Sequence, residues 1–265
     1  MIPAERQSLI VKRLSERRVL SIAEIADFLN VSQMTVRRDI RVLEDQGRAL
    51  SVAGGVQLPE RISSEPSHLA KCAMAHNQKV AIGKFAASLV KPGDVIYLDA
   101  GTTILEIARH LKDIPDITVV TNDFVIAAFL SQESLCRLFH TGGQVERENQ
   151  SCVGTPAGTA IHYFNFDIAF ISTSSFGPRG ISTPHENKIP VKQAVVESSR
   201  RRILVTDSSK YGLIGTFNAI PLDQLNAIVT DKALPQNAQD AIKERGIELH
   251  LINYEDNLIK GQGNE

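Results

Sequence analysis

The chain has 265 residues, 29 Lys+Arg against 30 Asp+Glu for a formal charge of −1, and 43% hydrophobic residues. That apolar content excludes a disordered chain, and the length suggests about two domains at ~100–200 residues each. The near-neutral total excludes a uniformly basic nucleic-acid coat protein but not a local basic patch.

Glu5 and Arg6 precede any apolar run, unlike the basic-then-apolar start of a secretory signal, and predict a cytoplasmic location. After Pro3, the spacing of Leu9, Ile10 and Leu14 predicts a first helix up to Arg18. Ser21 followed by Glu24 is a capping-box pattern, and Ile22, Ile25, Ala26 and Leu29 predict a second helix over 22–29. Ser32 is an N-cap candidate for a third helix over 33–46, which Gly47 stops. On a helical wheel Val36, Ile40 and Leu43 share one side, and Met34, Arg37, Arg38 and Arg41 share the other. Three guanidinium groups on one face, with no acid one turn away on it, call for an anion. Residues 48–57 alternate around Gly54-Gly55, as a two-stranded ribbon does. Helix, helix, helix, hairpin is the order of a winged helix-turn-helix. There the N-terminal part of the second motif helix enters the major groove, with Arg on phosphate or guanine and Ser, Gln and Thr on base edges. The periodicity fits equally a small packing module whose arginines are merely solvated.

Residues 58–75 contain Pro59, Pro66 and three serines without a sustained period, the composition of a linker. Beyond it, strand-like runs at 95–98, 117–120, 137–140, 168–171, 203–206 and 227–230 alternate with helical ones such as 104–111 and 124–130. This alternation predicts a largely parallel, Rossmann-like α/β sheet covered on both faces, with ligands beyond the carboxyl ends of its strands. The run at 124–130 is far short of the ~20 apolar residues that span a bilayer, so no membrane partner is predicted. Three polar strand ends follow: Asp99-Ala100-Gly101-Thr102-Thr103, Thr121-Asn122-Asp123 and Thr141-Gly142-Gly143. Each can serve as a helix cap, but three in succession suit one site, and the first suits a phosphate at a helix start. Lys192, at a helix start after a loop over 177–187, and Lys210, after a buried strand, are either surface lysines or point charges for a phosphorylated or carboxylated ligand. Arg200, Arg201 and Arg202 are expected at a helix end, where cations complement the dipole. Cys72, Cys136 and Cys152, odd in number and far apart, are expected to be small buried hydrophobes. With no HExxH or HxH spacing, neither metal nor cofactor is predicted.

The block Val31-Ser32-Gln33-Met34-Thr35-Val36-Arg37-Arg38-Asp39, with Ser21-Ile22-Ala23-Glu24 before it and Gly54-Gly55 after it, resembles the N-terminal domain of the DeoR family of bacterial transcriptional regulators. The strand-end strings above, with Gly180-Ile181-Ser182, Val191-Lys192-Gln193-Ala194 and Asp207-Ser208-Ser209-Lys210, resemble that family's C-terminal domain, whose fold is similar to sugar-phosphate isomerases of the ribose-5-phosphate isomerase type. The resemblance covers nearly the whole chain. It implies a DNA-binding domain over 1–57, a linker over 58–75, an effector-binding sensor domain over 76–253 and a tail over 254–265. It implies DNA contacts from Ser21, Ser32, Gln33, Met34, Thr35, Arg37, Arg38 and Arg41. It implies effector contacts from Asp99, Gly101, Thr102, Thr103, Thr121, Asn122, Gly142, Gly143, Lys192 and Lys210. Many family members carry a basic residue or His before the wing glycines where this chain has Ser51-Val52-Ala53, which shifts readout toward the third helix.

The expected function is a repressor of carbohydrate or sugar-acid catabolic genes, acting as a dimer or tetramer on operator DNA and released by a phosphorylated sugar or sugar acid. The alternative is an isomerase-like enzyme with an appended DNA-binding domain, for which Asp99, Glu186 and Asp207 are the carboxylates available as base. Up to Gln57 the chain has 9 Lys+Arg and 7 Asp+Glu, and the remainder has 20 and 23. The near-neutral whole thus joins a modestly basic segment to a mildly acidic one.

Overall fold

In the computed structural model, which describes residues 1–52 and 54–254, the first segment folds as α1 (Pro3–Glu16), β1 (Val19–Leu20), α2 (Ile22–Leu29), α3 (Gln33–Asp45), β2 (Leu50–Val52) and β3 (Gly55–Gln57). Ser21 Oγ accepts the Glu24 N–H at 3.1 Å, while the Glu24 carboxylate accepts the Ser21 N–H at 2.8 Å. Ser32 Oγ accepts the Thr35 N–H at 3.2 Å. Both caps satisfy donors that lack an intrahelical acceptor. Ile10, Leu14, Ile25, Leu29, Val36, Ile40 and Leu43 close one small core. Beside it the buried Asp39 takes Arg6 Nε at 2.6 Å and Arg6 Nη2 at 3.1 Å, tying α3 to α1.

α1 ends at Glu16 rather than Arg18, because Val19 and Leu20 leave the helix to pair antiparallel with β3. The ribbon is therefore three-stranded. The third strand explains Gly55, since a Cβ there would lie 2.3 Å from Leu20 O and hold the strands apart.

Residues 58–75 carry structure of their own, β4 (Glu60–Arg61) and α4 (His68–Ala73). There follow α5 (His76–Ala87), β5 (Val95–Leu98), α6 (Thr102–Leu111), β6 (Thr118–Thr121), α7 (Phe124–Glu133), β7 (Arg137–His140), β8 (Gln144–Glu146), β9 (Ser151–Val153), α8 (Gly154–Ile161) and β10 (Phe166–Ile171). The rest comprises β11 (Ser175–Gly177), β12 (Gly180–Thr183), α9 (Ile189–Glu197), β13 (Ser199–Val205), β14 (Leu213–Ile214), β15 (Phe217–Pro221), β16 (Ala227–Asp231), α10 (Gln236–Glu244) and β17 (Glu248–Ile252). Seven strands form a parallel sheet in the order β17-β16-β13-β10-β5-β6-β7. One face packs on α5, α6 and α7 through Ile82, Ile104, Ile107 and Ile126. The other packs on α8, α9 and α10 through Ile161, Val195 and Ile242, and on a small sheet of β11, β12 and β15 through Phe176 and Ile181. No helix among the described residues is long and apolar enough to cross a membrane.

Three further sequence expectations change. Residues 177–187 are not simply a loop, because β11 and β12 pair there as a hairpin. Arg200, Arg201 and Arg202 lie within β13 and not at a helix end; Arg201 and Arg202 pair with Ile168 and Ala169 of β10, and their charges meet Glu248 and Asn226. Of the cysteines only Cys152 is buried, while Cys72 and Cys136 are half-buried.

α5 crosses α6 at Gly83, where a Cβ would lie 2.6 Å from Glu106 Cβ and 2.8 Å from its carbonyl carbon. Gly83→Ala should cost about 1–3 kcal/mol by prising the helices apart. Urea denaturation followed by circular dichroism measures it, and an unchanged midpoint would mean the crossing reseats freely.

Candidate functional site

The sheet order reverses between β5 and β10, since β6 and β7 extend one way and β13, β16 and β17 the other. Loops leaving these two strands diverge and open a crevice, the usual ligand position in such sheets. Asp99 follows β5 and Ser172 follows β10. Across the split the Asp99 carboxylate accepts the Ser172 N–H at 2.8 Å and lies 2.9 Å from the Ser172 hydroxyl. The same carboxylate pairs with the Lys192 ammonium, which also donates to Ser172 O. Both charged groups are buried, so each removes most of the other's cost.

α6 starts at the rim of the crevice. The Gly101 N–H donates to Asp123 Oδ2 at 3.1 Å, and Asp123 Oδ1 caps α7 by accepting the Val125 and Ile126 N–H groups at 2.7 and 3.0 Å. Burial pushes the Asp123 carboxyl up to about 6, the three N–H groups oppose that, and Asp99 adds to the rise. Among the described residues no side chain caps α6, and its first turn, Thr102 and Thr103, lines the crevice with the positive end of a helix dipole.

The crevice is a cavity of about 300 Å³. Its walls carry five lysines (Lys71, Lys79, Lys188, Lys192 and Lys210) against three carboxylates (Glu65, Asp99 and Asp207), a surplus that favours an anion. Glu65 bridges Lys188 Nζ at 2.8 Å and Lys71 Nζ at 3.3 Å. Burial alone would raise its carboxyl, but the two ammonium groups outweigh burial and hold it down at about 2. Lys79 donates to Lys71 O at 2.5 Å; burial pulls its ammonium down, Asp207 opposes that, and Lys210 adds to it. Among the described residues neither Lys79 nor Lys210 has a carboxylate within 4.0 Å.

Of the residues singled out by sequence, Asp99, Gly101, Thr102, Thr103, Asn122, Lys192 and Lys210 line this cavity. The Asn122 amide is occupied, accepting from the Tyr97 hydroxyl and donating to Cys152 O, each at 2.8 Å. Thr121, Gly142 and Gly143 are not in its walls. Thr121 is fully buried and its hydroxyl accepts the Asp123 N–H, while Gly142 and Gly143 follow β7, the sheet edge two strands from the split. Sequence reasoning missed Glu65, Lys71, Lys79 and Lys188. Glu65 and Lys71 sit in the stretch read as linker, and no spacing links them to Lys188.

A second surface lies on α3. Gln33, Met34, Arg37 and Arg38 are exposed, and neither arginine meets a carboxylate among the described residues. Ser21 and Ser32 cap α2 and α3, and Thr35 is half-buried with its hydroxyl 3.0 Å from Ser32 Oγ. Arg41 differs from expectation, since packing brings Glu244 of α10 to 3.9 Å from its guanidinium. Arg245 with Asp45 at 2.8 Å and Asn237 Nδ2 donating to Ser51 O at 2.8 Å complete this contact between the two halves of the chain.

The profile described as the DeoR-like helix-turn-helix domain matches residues 6–61, and that of the DeoR C terminal sensor domain matches residues 74–232. The HTH-type transcriptional regulator YgbI of Escherichia coli is 52% identical over 255 residues, 96% of this chain and 100% of that protein. The HTH-type transcriptional repressor GlcR of Bacillus subtilis is 29% identical over 256 residues, covering 97% and 98%. Among solved structures, ribose 5-phosphate isomerase A of Methanocaldococcus jannaschii aligns with a TM-score of 0.37 and 18% identity over 50% of this chain and 53% of its own. The chain belongs to the DeoR family: it is a DNA-binding transcriptional regulator with a sensor domain, and not an enzyme.

The paired Glu65 carboxyl makes a pH prediction. Its folded value lies below the unfolded range of about 4.3, so the pairing adds stability above that range and loses it as pH falls toward about 2. The stability difference between wild type and Glu65→Gln, read from urea midpoints, should be largest near neutral pH and shrink between about 4.3 and about 2. A difference constant with pH would contradict the ion pairing.

Proposed function

We propose that this regulator is a cytoplasmic repressor that reads its operator with the N-terminal half of α3 and lets go when a phosphorylated sugar or sugar acid fills the cavity. The observation that carries the effector half is the cavity itself: a lysine surplus, with Lys79 and Lys210 free of carboxylate partners among the described residues, at the start of α6, which has no side-chain cap among them. Ammonium groups and helix N–H donors together suit a phosphate. The DNA half rests on Arg37 and Arg38 projecting beside Gln33 and Met34 from a helix whose opposite side is core. One such helix reads few base pairs, so a dimer or tetramer matching repeated half-sites supplies the affinity. Effector and operator then weaken each other's binding reciprocally through two arrangements of the paired DNA-binding domains.

In a gel shift on the operator, Arg37→Ala or Arg38→Ala should cost about 1–3 kcal/mol where the side chain makes a bidentate base contact, or lower the salt slope where it meets phosphate. Full affinity in both variants would remove α3 as the reader. Adding a panel of phosphorylated sugars and sugar acids should release wild-type protein, whereas Lys210→Ala should stay on the operator at the same concentrations. A Lys210→Ala protein released as readily as wild type would remove Lys210 from the effector site.

A further inference from the structure

The stretch joining the two domains is itself a wall of the cavity. From β3 the chain enters β4, where the Glu60 N–H donates to Gly212 O at 3.3 Å and the Ile62 N–H to Ile214 O at 2.9 Å. Three residues on, Glu65 turns into the cavity and its carboxylate is buried between Lys71 and Lys188. Among the described residues the connector's only ionic tie to the sensor domain's α9 side is the Glu65 bond to Lys188. Gly212, which accepts from Glu60, also has Leu50 of β2 packed against it, so this anchor touches the DNA-binding domain directly. Ser174 lines the same cavity, and its hydroxyl joins the two ammonium groups in holding the Glu65 carboxyl down.

We propose that Lys71 and Lys188 form an anion subsite that Glu65 fills in the unliganded chain, so that a ligand anion entering it expels Glu65 and detaches the connector from β14. The inference rests on the reading of the cavity as the effector site, and specifies how occupancy reaches the DNA-binding domain. A carboxylate already seated between two half-buried ammonium groups shows that the pair accepts an oxyanion. Two half-buried cations side by side repel each other when no anion lies between them, so the exchange of one anion for another is the low-cost change available to them. Once expelled, Glu65 hydrates outside, and the two bonds of β4 to the sensor domain lose the ionic clamp beside them. The protein's own carboxylate then lowers ligand affinity by the fraction of time it occupies the subsite.

The test uses the full-length chain and two readouts. Amide hydrogen exchange, followed by mass spectrometry on peptides covering residues 58–66, should be faster in Glu65→Gln than in wild type with no ligand added. Inorganic phosphate should speed the same exchange in wild type. Calorimetric titration should show Glu65→Gln binding inorganic phosphate about tenfold or more tightly than wild type, the competing carboxylate being gone. Lys188→Met, which keeps Glu65 but removes one cation, should exchange faster at 58–66 and bind phosphate more weakly, and serves if Glu65→Gln folds poorly. Unchanged exchange in ligand-free variants overturns the clamp whatever the cavity binds. Phosphate binding with equal affinity in wild type and Glu65→Gln overturns the subsite while leaving the effector cavity standing.

Discussion

The Asp99 carboxylate holds together the point at which this sheet divides. β5 and β10 are neighbours whose following loops run to opposite sides, and a crevice there is unavoidable in a parallel sheet of this order. Asp99 bridges the gap to Ser172 and needs a cation because it is buried, which Lys192 supplies from α9. Among the described residues Lys79 and Lys210 meet no carboxylate and the start of α6 has no side-chain cap, while Asp123 holds Gly101 in place by taking its N–H.

The DNA-binding domain is not an independent body on a free tether. Exposed ion pairs join its α3 to the C-terminal end of α10, such pairs being worth about 0–1 kcal/mol each, and Asn237 of α10 donates to Ser51 O of β2. β4 adds two backbone bonds, and Leu50 rests on Gly212. These are weak ties in series. A coupling of about 1–3 kcal/mol, ordinary for a ligand-responsive protein, is enough to shift them.

Much was legible in sequence where the determining forces are local. The Ser21 and Ser32 caps, the 22–29 helix and the opposed faces of α3 follow from residues within a turn or two of each other. The alternation of apolar strands and helices announced a parallel sheet, and the polar strand ends pointed to its carboxyl edge. The errors are non-local. Arg200, Arg201 and Arg202 fell into a strand because β10 and β16 flank them, and Val19 and Leu20 left α1 because β3 was there to pair with. Neither partner is near in sequence.

The amino-acid order by itself determined the two domains' classes, the exposed basic face of α3 and the group of residues at the ends of β5 and β6, because periodicity, capping and turn chemistry act over a few residues. Only the tertiary structure decided which of those residues meet. It turned Gly142 and Gly143 away, since their strand is at the sheet edge; it neutralised Lys192 with Asp99; and it gave Arg41 an acid from α10. It also drew Glu65, Lys71 and Lys188, 123 positions apart at their widest, into one buried cluster. Charges sort themselves by burial and distance in space, and no spacing along the chain encodes either.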